Sequence, residues 1–126
     1  LEVNEDFAPA ANNLAYLLIE TGGNVDKALS LAQTAKRIRP DDPGIADTLG
    51  WAYVQKKAYG SAIAQFQDAL ERMPEHPSIL YHLGVAYHRQ GNDDIALETL
   101  QKALDVEGDF PERDRVSDLI EEIESL

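Results

Sequence analysis

Three histidines, His76, His82 and His88, are the side chains of this 126-residue sequence that could bind a metal ion or act as a general base. His82 and His88 are six positions apart, which separates them by about 120° around a helix. Zinc-binding histidines on one helix are spaced by four residues. Because His76 falls in a loop between predicted helices, the spacing predicts no metal site, and scattered histidines are more often surface or groove residues.

Other catalytic signatures are missing from the sequence. The acidic run Asn92 to Asp94 lacks the alternating oxygen ligands and the final Glu of a calcium loop, so helix capping explains it better. The sequence has no phosphate-binding glycine loop, no Gly-x-Ser-x-Gly elbow and no cysteine. We therefore predict that this is not an enzyme and that it uses no cofactor.

The composition excludes two further classes. A formal net charge of −12 is unfavourable for nucleic-acid binding, which draws on clustered Lys and Arg. The longest apolar run, Leu14 to Ile19, is far shorter than a membrane-spanning helix, so we expect no membrane insertion by this segment. A hydrophobic content of 44% is typical of a globular protein.

An internal repeat organises the chain. The stretch from Asp47 to Pro77 recurs 34 residues later. This shift superposes Pro43 on Pro77, Leu49 on Leu83, Gly50 on Gly84, Ala52 on Ala86, Tyr53 on Tyr87, Ala62 on Ala96, Ala69 on Ala103 and Leu70 on Leu104. A weaker copy precedes it, with one extra residue in the turn from Gly22 to Asn24.

Each unit has the sequence pattern of two helices. Apolar residues recur at spacings of three and four, glycine-containing or polar turns divide each unit, and prolines mark the unit boundaries. In the third unit, Gly91 is predicted to end one helix, and Asn92 or the acid after it to cap the next. We predict helices at 8–21, 25–39, 43–57, 60–72, 77–90, 93–106 and 111–125.

The pattern resembles the tetratricopeptide repeat, which is 34 residues long. The second unit carries the resemblance through Leu49, Gly50, Tyr53, Ala62, Phe66, Ala69 and Pro74. The first and third units depart from it at Ala32, which replaces the residue equivalent to Phe66, and at Gly108, which replaces the closing proline. The resemblance implies an all-α, right-handed α-solenoid of three helix pairs with a C-terminal capping helix.

We predict a single domain, residues 1–126. Its repeats would be 8–42, 43–76 and 77–110, and 111–126 would form a capping helix whose acids face solvent. Residues 1–7 align with 70–76, the end of a second helix, so we expect the chain to be a fragment of a longer array.

A narrower resemblance concerns the stretches "PAANNLAYLL", "DPGIADTLGWAYV" and "FPER". They are similar to the C-terminal repeat segment of bacterial tetratricopeptide-repeat lipoproteins of exopolysaccharide and protein-sorting loci. This resemblance implies an exported parent protein attached to the cell envelope, which favours the periplasm or envelope over the cytoplasm.

The family fold implies that the first helix of each unit lines a concave groove. The residue after each small packing residue, with its neighbours four before and four after, should face that groove. The predicted positions are Asn12, Tyr16, Glu20, Asp47, Trp51, Gln55, Tyr81, Val85 and Arg89, with His82 and His88 at the edge. Packing against a neighbouring helix is an alternative role for Trp51.

Some members of the family hold a C-terminal carboxylate with Lys, Asn and Arg. The matching positions here are Asn12, Tyr16, Thr48, Ser78 and His82, so most of the cationic clamp is absent. The aromatic and amide side chains suit an extended or helical peptide instead, and Glu20 and Asp47 favour a neutral or basic partner.

Two functions therefore remain open from the sequence. The first is a scaffold that binds a protein or peptide segment in the groove. The alternative is a structural spacer and C-terminal cap of a longer array that acts through self-association. Leu14, Leu17 and Leu18 would be left exposed, and an exposed apolar patch favours homo-oligomers of the chain.

Overall fold

The computed structural model describes residues 6–126, which form seven helices. The helices are α1 Phe7–Glu20, α2 Val25–Ile38, α3 Pro43–Gln55, α4 Tyr59–Arg72, α5 Pro77–Arg89, α6 Asp93–Asp105 and α7 Arg113–Glu124. Each predicted helix end lies within two residues of the observed one. Most of the predicted segment 1–7 lies outside the described residues, and Phe7 already belongs to α1.

The helices pack as antiparallel neighbours in chain order. The most extensive contacts join α1 to α2, α3 to α4, and α5 to α6, and α7 packs against α6. The first helices of the pairs also contact one another, α1 with α3 and α3 with α5. This arrangement confirms the predicted all-α solenoid, and it brings the first helices side by side on one surface.

Short polar side chains and prolines begin several helices. Asn24 accepts a hydrogen bond from the backbone N–H of Lys27 at 3.0 Å, and Asp42 accepts one from that of Gly44 at 2.9 Å. Pro43 and Pro77 occupy the first turn of α3 and α5, where no N–H donor is needed. The predicted cap of α6 is wrong in part: Asn92 holds the N-cap position, but its side chain makes no capping hydrogen bond.

The two helices of each unit pack closely because a small residue on the first helix lies opposite a side chain of matching size on the second. A Cβ atom built on Gly50 would lie 2.5 Å from the Phe66 ring, and one on Gly84 would lie 2.5 Å from Leu100 Cδ2. In the first unit Ala15 occupies the glycine position and the large residue is replaced by Ala32. Both alanines are fully buried in one cluster. The added methyl group at Ala15 is therefore accommodated by the smaller opposing side chain.

The turns between the paired helices share one backbone conformation. Gly22 and Gly91 have φ values of +72° and +92°, and Lys57 has a φ of 62° at the equivalent place in the second unit. Since only glycine adopts this region without steric cost, the second turn is locally strained. Within residues 6–126, no helix has both the length and the apolar character needed to cross a membrane.

Candidate functional site

We call the surface presented by α1, α3, α5 and the N-terminal part of α7 the groove. Its centre is an aromatic cluster in which the rings of Trp51 and Tyr81 have centroids 6.4 Å apart. The Trp51 ring also stacks on His82, with centroids at 4.3 Å and planes inclined by 25°. Trp51 and Tyr81 are both half-buried, so each ring packs on the protein while keeping an exposed surface. The alternative packing role of Trp51 and a groove role are therefore compatible.

His82 lies beneath this surface, although the sequence predicts it at the groove edge. It is 3% exposed, and its ring centroid is 5.9 Å from that of Phe66. Its Nδ1 atom is 2.8 Å from Oδ1 of Asp47 on α3. The contact fixes the position of the imidazole that supports Trp51. His82 therefore acts as the floor of the groove.

The α1 side of the groove is acidic. Tyr16 is 40% exposed, and its pKa is raised to about 12 by burial, by the adjacent Glu20 carboxylate, and by the negative charges of Glu112 and Asp47. Charges from α3 and from the residue preceding α7 thus act on a side chain of α1. Three carboxylates from different parts of the chain therefore lie near Tyr16.

The α5 side of the groove contains a pocket of about 760 Å³ against α7. Its walls are formed by Tyr81, Val85, His88, Arg89, Arg115, Asp118, Leu119 and Glu122. Burial raises the pKa of Tyr81, while the nearby guanidinium groups of Arg115 and Arg89 oppose that rise. Val85 is only 5% exposed and belongs to the floor. The pocket combines an apolar base with a charged rim.

The remaining predicted residues are dispersed over the same helices. Asn12 is half-buried, and its Oδ1 atom is buried without a hydrogen-bond partner in the described residues. Gln55 is half-buried and Glu20 is exposed, both near the ends of their helices. His88 contacts Asp93, with Nδ1 and Oδ1 2.7 Å apart, so this acid pairs with a side chain of the preceding helix. Among residues 6–126 no three His, Cys, Asp or Glu side chains form a group that could hold a metal ion.

Sequence reasoning missed the contribution of α7, which it treated as a solvated cap. Glu112, Arg115 and Leu119 reach the groove, and Ser78 donates a hydrogen bond to Glu112 Oε2 at 2.7 Å. A signal was present, because shifting Tyr81 and Val85 by a further 34 residues lands on Arg115 and Leu119. The first turns of α7 therefore continue the rows of the preceding first helices.

Comparison with known proteins shows to which sequences and folds the chain is similar. Residues 48–112, slightly more than half of the chain, match the family model described as Tetratricopeptide repeat. A TPR repeat-containing protein of Pseudomonas aeruginosa is 34% identical over 79 residues, which make up 63% of this chain and 13% of that protein. The chain thus corresponds to a small part of the length of this relative.

Several solved structures share the fold along nearly the whole chain, and two of them illustrate the likeness. The first TPR domain of Spaghetti (RPAP3), bound to an HSP90 peptide, has a TM-score of 0.81 at 15% identity and covers 98% of this chain and 97% of its own. SycD, the type III secretion translocator chaperone of Yersinia enterocolitica, has a TM-score of 0.84 at 20% identity, with 99% and 97% covered. At these identities the likeness concerns the fold alone.

Proposed function

We propose that this chain, which belongs to the tetratricopeptide repeat family, is an interaction module that binds an extended or helical segment of a partner protein in its groove. The observation that carries the proposal is the pair of neighbouring, half-buried rings of Trp51 and Tyr81, with His82 stacked on Trp51. Half-buried Trp and Tyr are the residue types that most often dominate binding energy at protein interfaces. A rigid floor reduces the entropy that such side chains lose on binding.

The electrostatics of the groove indicate how a partner would be selected. Glu20, Asp47 and Glu112 act together on Tyr16 at the α1 side. A neutral or basic stretch of the partner fits this side, since complementary charge gives specificity and faster association. The similar domain of Spaghetti was solved with a peptide bound, which supports peptide recognition as a use of this fold.

A displayed library of random peptides tests the proposal, because such a library samples many binding segments at once. Peptides would be selected on the immobilised wild-type chain and then offered to the Trp51→Ala/Tyr81→Ala variant. Tyr59→Ala is the matched control, because Tyr59 lies on α4, the second helix of its pair, and α4 does not form the groove. We expect the selected peptides to lose binding to the double variant and to keep it on the control. Equal binding to all three proteins would contradict the groove as the site.

A second candidate function is self-association through α1. Phe7, Leu14 and Leu17 on this helix are 43%, 40% and 57% exposed. Apolar side chains exposed on one helix favour contact with another protein surface, here a second copy of the chain. These apolar residues differ from Asn12, Tyr16 and Glu20, the residues of α1 that are predicted to face the groove.

We also propose that the parent protein belongs to a bacterial envelope or exopolysaccharide-associated assembly. This context rests on the three short stretches that resemble lipoproteins of exopolysaccharide and protein-sorting loci. Fractionation of the source cells with an antibody against this chain tests it. Recovery with the envelope is the expected result, and recovery only with cytosolic proteins would contradict it.

A further inference from the structure

The pocket between α5 and α7 differs in charge from the rest of the groove. Arg89 and Arg115 both lie on its wall, in a chain whose formal net charge is −12. In the described residues neither guanidinium has a carboxylate within 4.0 Å, so neither is held in an ion pair like those of Arg72 and Arg113. Two guanidinium groups outside any ion pair therefore line one pocket, together with the acids Asp118 and Glu122.

Tyr81 lines the same pocket as these arginines. The positive charges of Arg115 and Arg89 act on its hydroxyl and oppose the rise in its pKa that burial causes. Arginine side chains only donate hydrogen bonds, and the Tyr81 O–H can donate as well, so all three groups could bind one acceptor. The pocket therefore offers several donors at one point and an apolar base formed by Val85 and Leu119.

We infer that this pocket binds an aspartate or glutamate side chain of the partner segment, held by Arg89, Arg115 and the Tyr81 hydroxyl. The inference rests on the proposed groove function and specifies the partner further. Guanidinium groups bind carboxylates through strong, charge-assisted hydrogen bonds. A C-terminal carboxylate is a poorer match, since the cationic clamp for one is absent at Asn12, Thr48 and Ser78.

The same reasoning predicts how charged residues are distributed along the bound segment. Its acidic residue lies at the α5 and α7 end, and its neutral or basic residues lie near Tyr16, Glu20 and Glu112. Asp118 and Glu122 also line the pocket, and their negative charge opposes the attraction of the two arginines for a carboxylate. We therefore expect one carboxylate at this end of a segment that is otherwise neutral or basic.

Two peptide pools provide the probe. They are random in sequence and identical except that one contains Asp and Glu where the other contains Asn and Gln. We expect the wild-type chain to retain acid-bearing peptides preferentially, and Arg89→Gln/Arg115→Gln to lower that preference about tenfold or more. Asp118→Asn should raise it. Lys27→Gln/Arg37→Gln, two exposed changes on α2, is the charge-matched control and should leave it unchanged.

The outcomes separate this inference from the proposed function. Equal retention of both pools, lost in Trp51→Ala, would overturn the acidic-residue inference and leave groove binding intact. A preference that survives in Arg89→Gln/Arg115→Gln would overturn it as well. Retention of neither pool would contradict groove binding itself, and the inference with it. Circular dichroism of each variant establishes that the exposed substitutions leave the helices formed.

Discussion

His82 and Asp47 connect two neighbouring helix pairs, with Nδ1 of the histidine 2.8 Å from Oδ1 of the aspartate. The side chain of His82 is 4% exposed and that of Asp47 is 17% exposed, so the contact is largely shielded from water. A buried polar group that loses its partner incurs the full cost of its desolvation. The pair therefore stabilises the interface between α3 and α5 and orients the ring beneath Trp51.

Removing the carboxylate from this pair should destabilise the fold. We expect Asp47→Ala to lower the free energy of unfolding by about 1–3 kcal/mol, because His82 is left buried without its partner. Asp47→Asn keeps an acceptor oxygen and should cost less. Urea denaturation measures both.

The control for this prediction is Asp41→Ala. Asp41 forms an exposed ion pair with Arg72 at 3.0 Å, and such pairs contribute about 0–1 kcal/mol. If Asp41→Ala proved as damaging as Asp47→Ala, burial would not explain the importance of the His82 contact.

Close packing at Gly84 gives a second prediction. A methyl group there would lie 2.5 Å from Cδ2 of Leu100, which is fully buried, so we expect Gly84→Ala to destabilise the protein by about 1–3 kcal/mol. A methyl group at Gly60 on α4 would meet nothing within 4 Å, and Gly60→Ala should stabilise by about 0.5–1 kcal/mol. Thermal or chemical denaturation of the two variants gives the signs, and equal signs would refute the packing argument.

The acidic side of the groove is tested by the ionisation of Tyr16. Its pKa is raised to about 12 from an ordinary 10.0, first by burial and then by Glu20, with Glu112 and Asp47 adding to the rise. The difference in ultraviolet absorbance between wild type and Tyr16→Phe should show this titration. Glu20→Gln and Glu112→Gln should each lower the pKa, and an unchanged pKa in both would place these acids away from the groove.

The same shift has a defined effect on stability. Because the raised pKa favours the neutral phenol in the folded chain, the stabilisation is fully present below pH 10, the unfolded value, and is lost as the pH rises toward 12. Wild type should therefore lose stability relative to Tyr16→Phe across that interval only.

Self-association through α1 gives a separate prediction. Leu14→Glu/Leu17→Glu places two charges on the exposed apolar face and should make the chain monomeric at concentrations where wild type associates. Ile95→Glu on α6, where the side chain is 39% exposed, is the matched control. Sedimentation velocity measures both, and a wild-type chain that stays monomeric at high concentration would contradict this use of α1.

The helices and their order were predictable because they depend on local patterns. Apolar spacing and prolines placed every helix end within two residues of its position in the structure. The groove was harder to predict from the sequence, because its contacts join residues that are far apart in the chain. The burial of His82 depends on how α5 packs against Asp47 and Phe66, which the position of His82 within its own helix does not report.

The role of α7 was obscured by its composition. Its many acids are typical of a solvated cap, and most of them are indeed exposed. Arg115 and Leu119 nevertheless enter the pocket because they keep the 34-residue register of Tyr81 and Val85. The 34-residue register of the repeat was therefore a better guide to the role of α7 than its net charge.

The most direct test of groove binding uses the fluorescence of Trp51, the single tryptophan of the chain. A peptide selected on the wild-type chain would be titrated while the emission of Trp51 and its quenching by acrylamide are recorded. We predict a saturable change in emission, protection from quenching, and loss of affinity in Tyr81→Ala. A peptide that binds with full affinity to Tyr81→Ala and leaves the Trp51 emission and quenching unchanged would contradict the account.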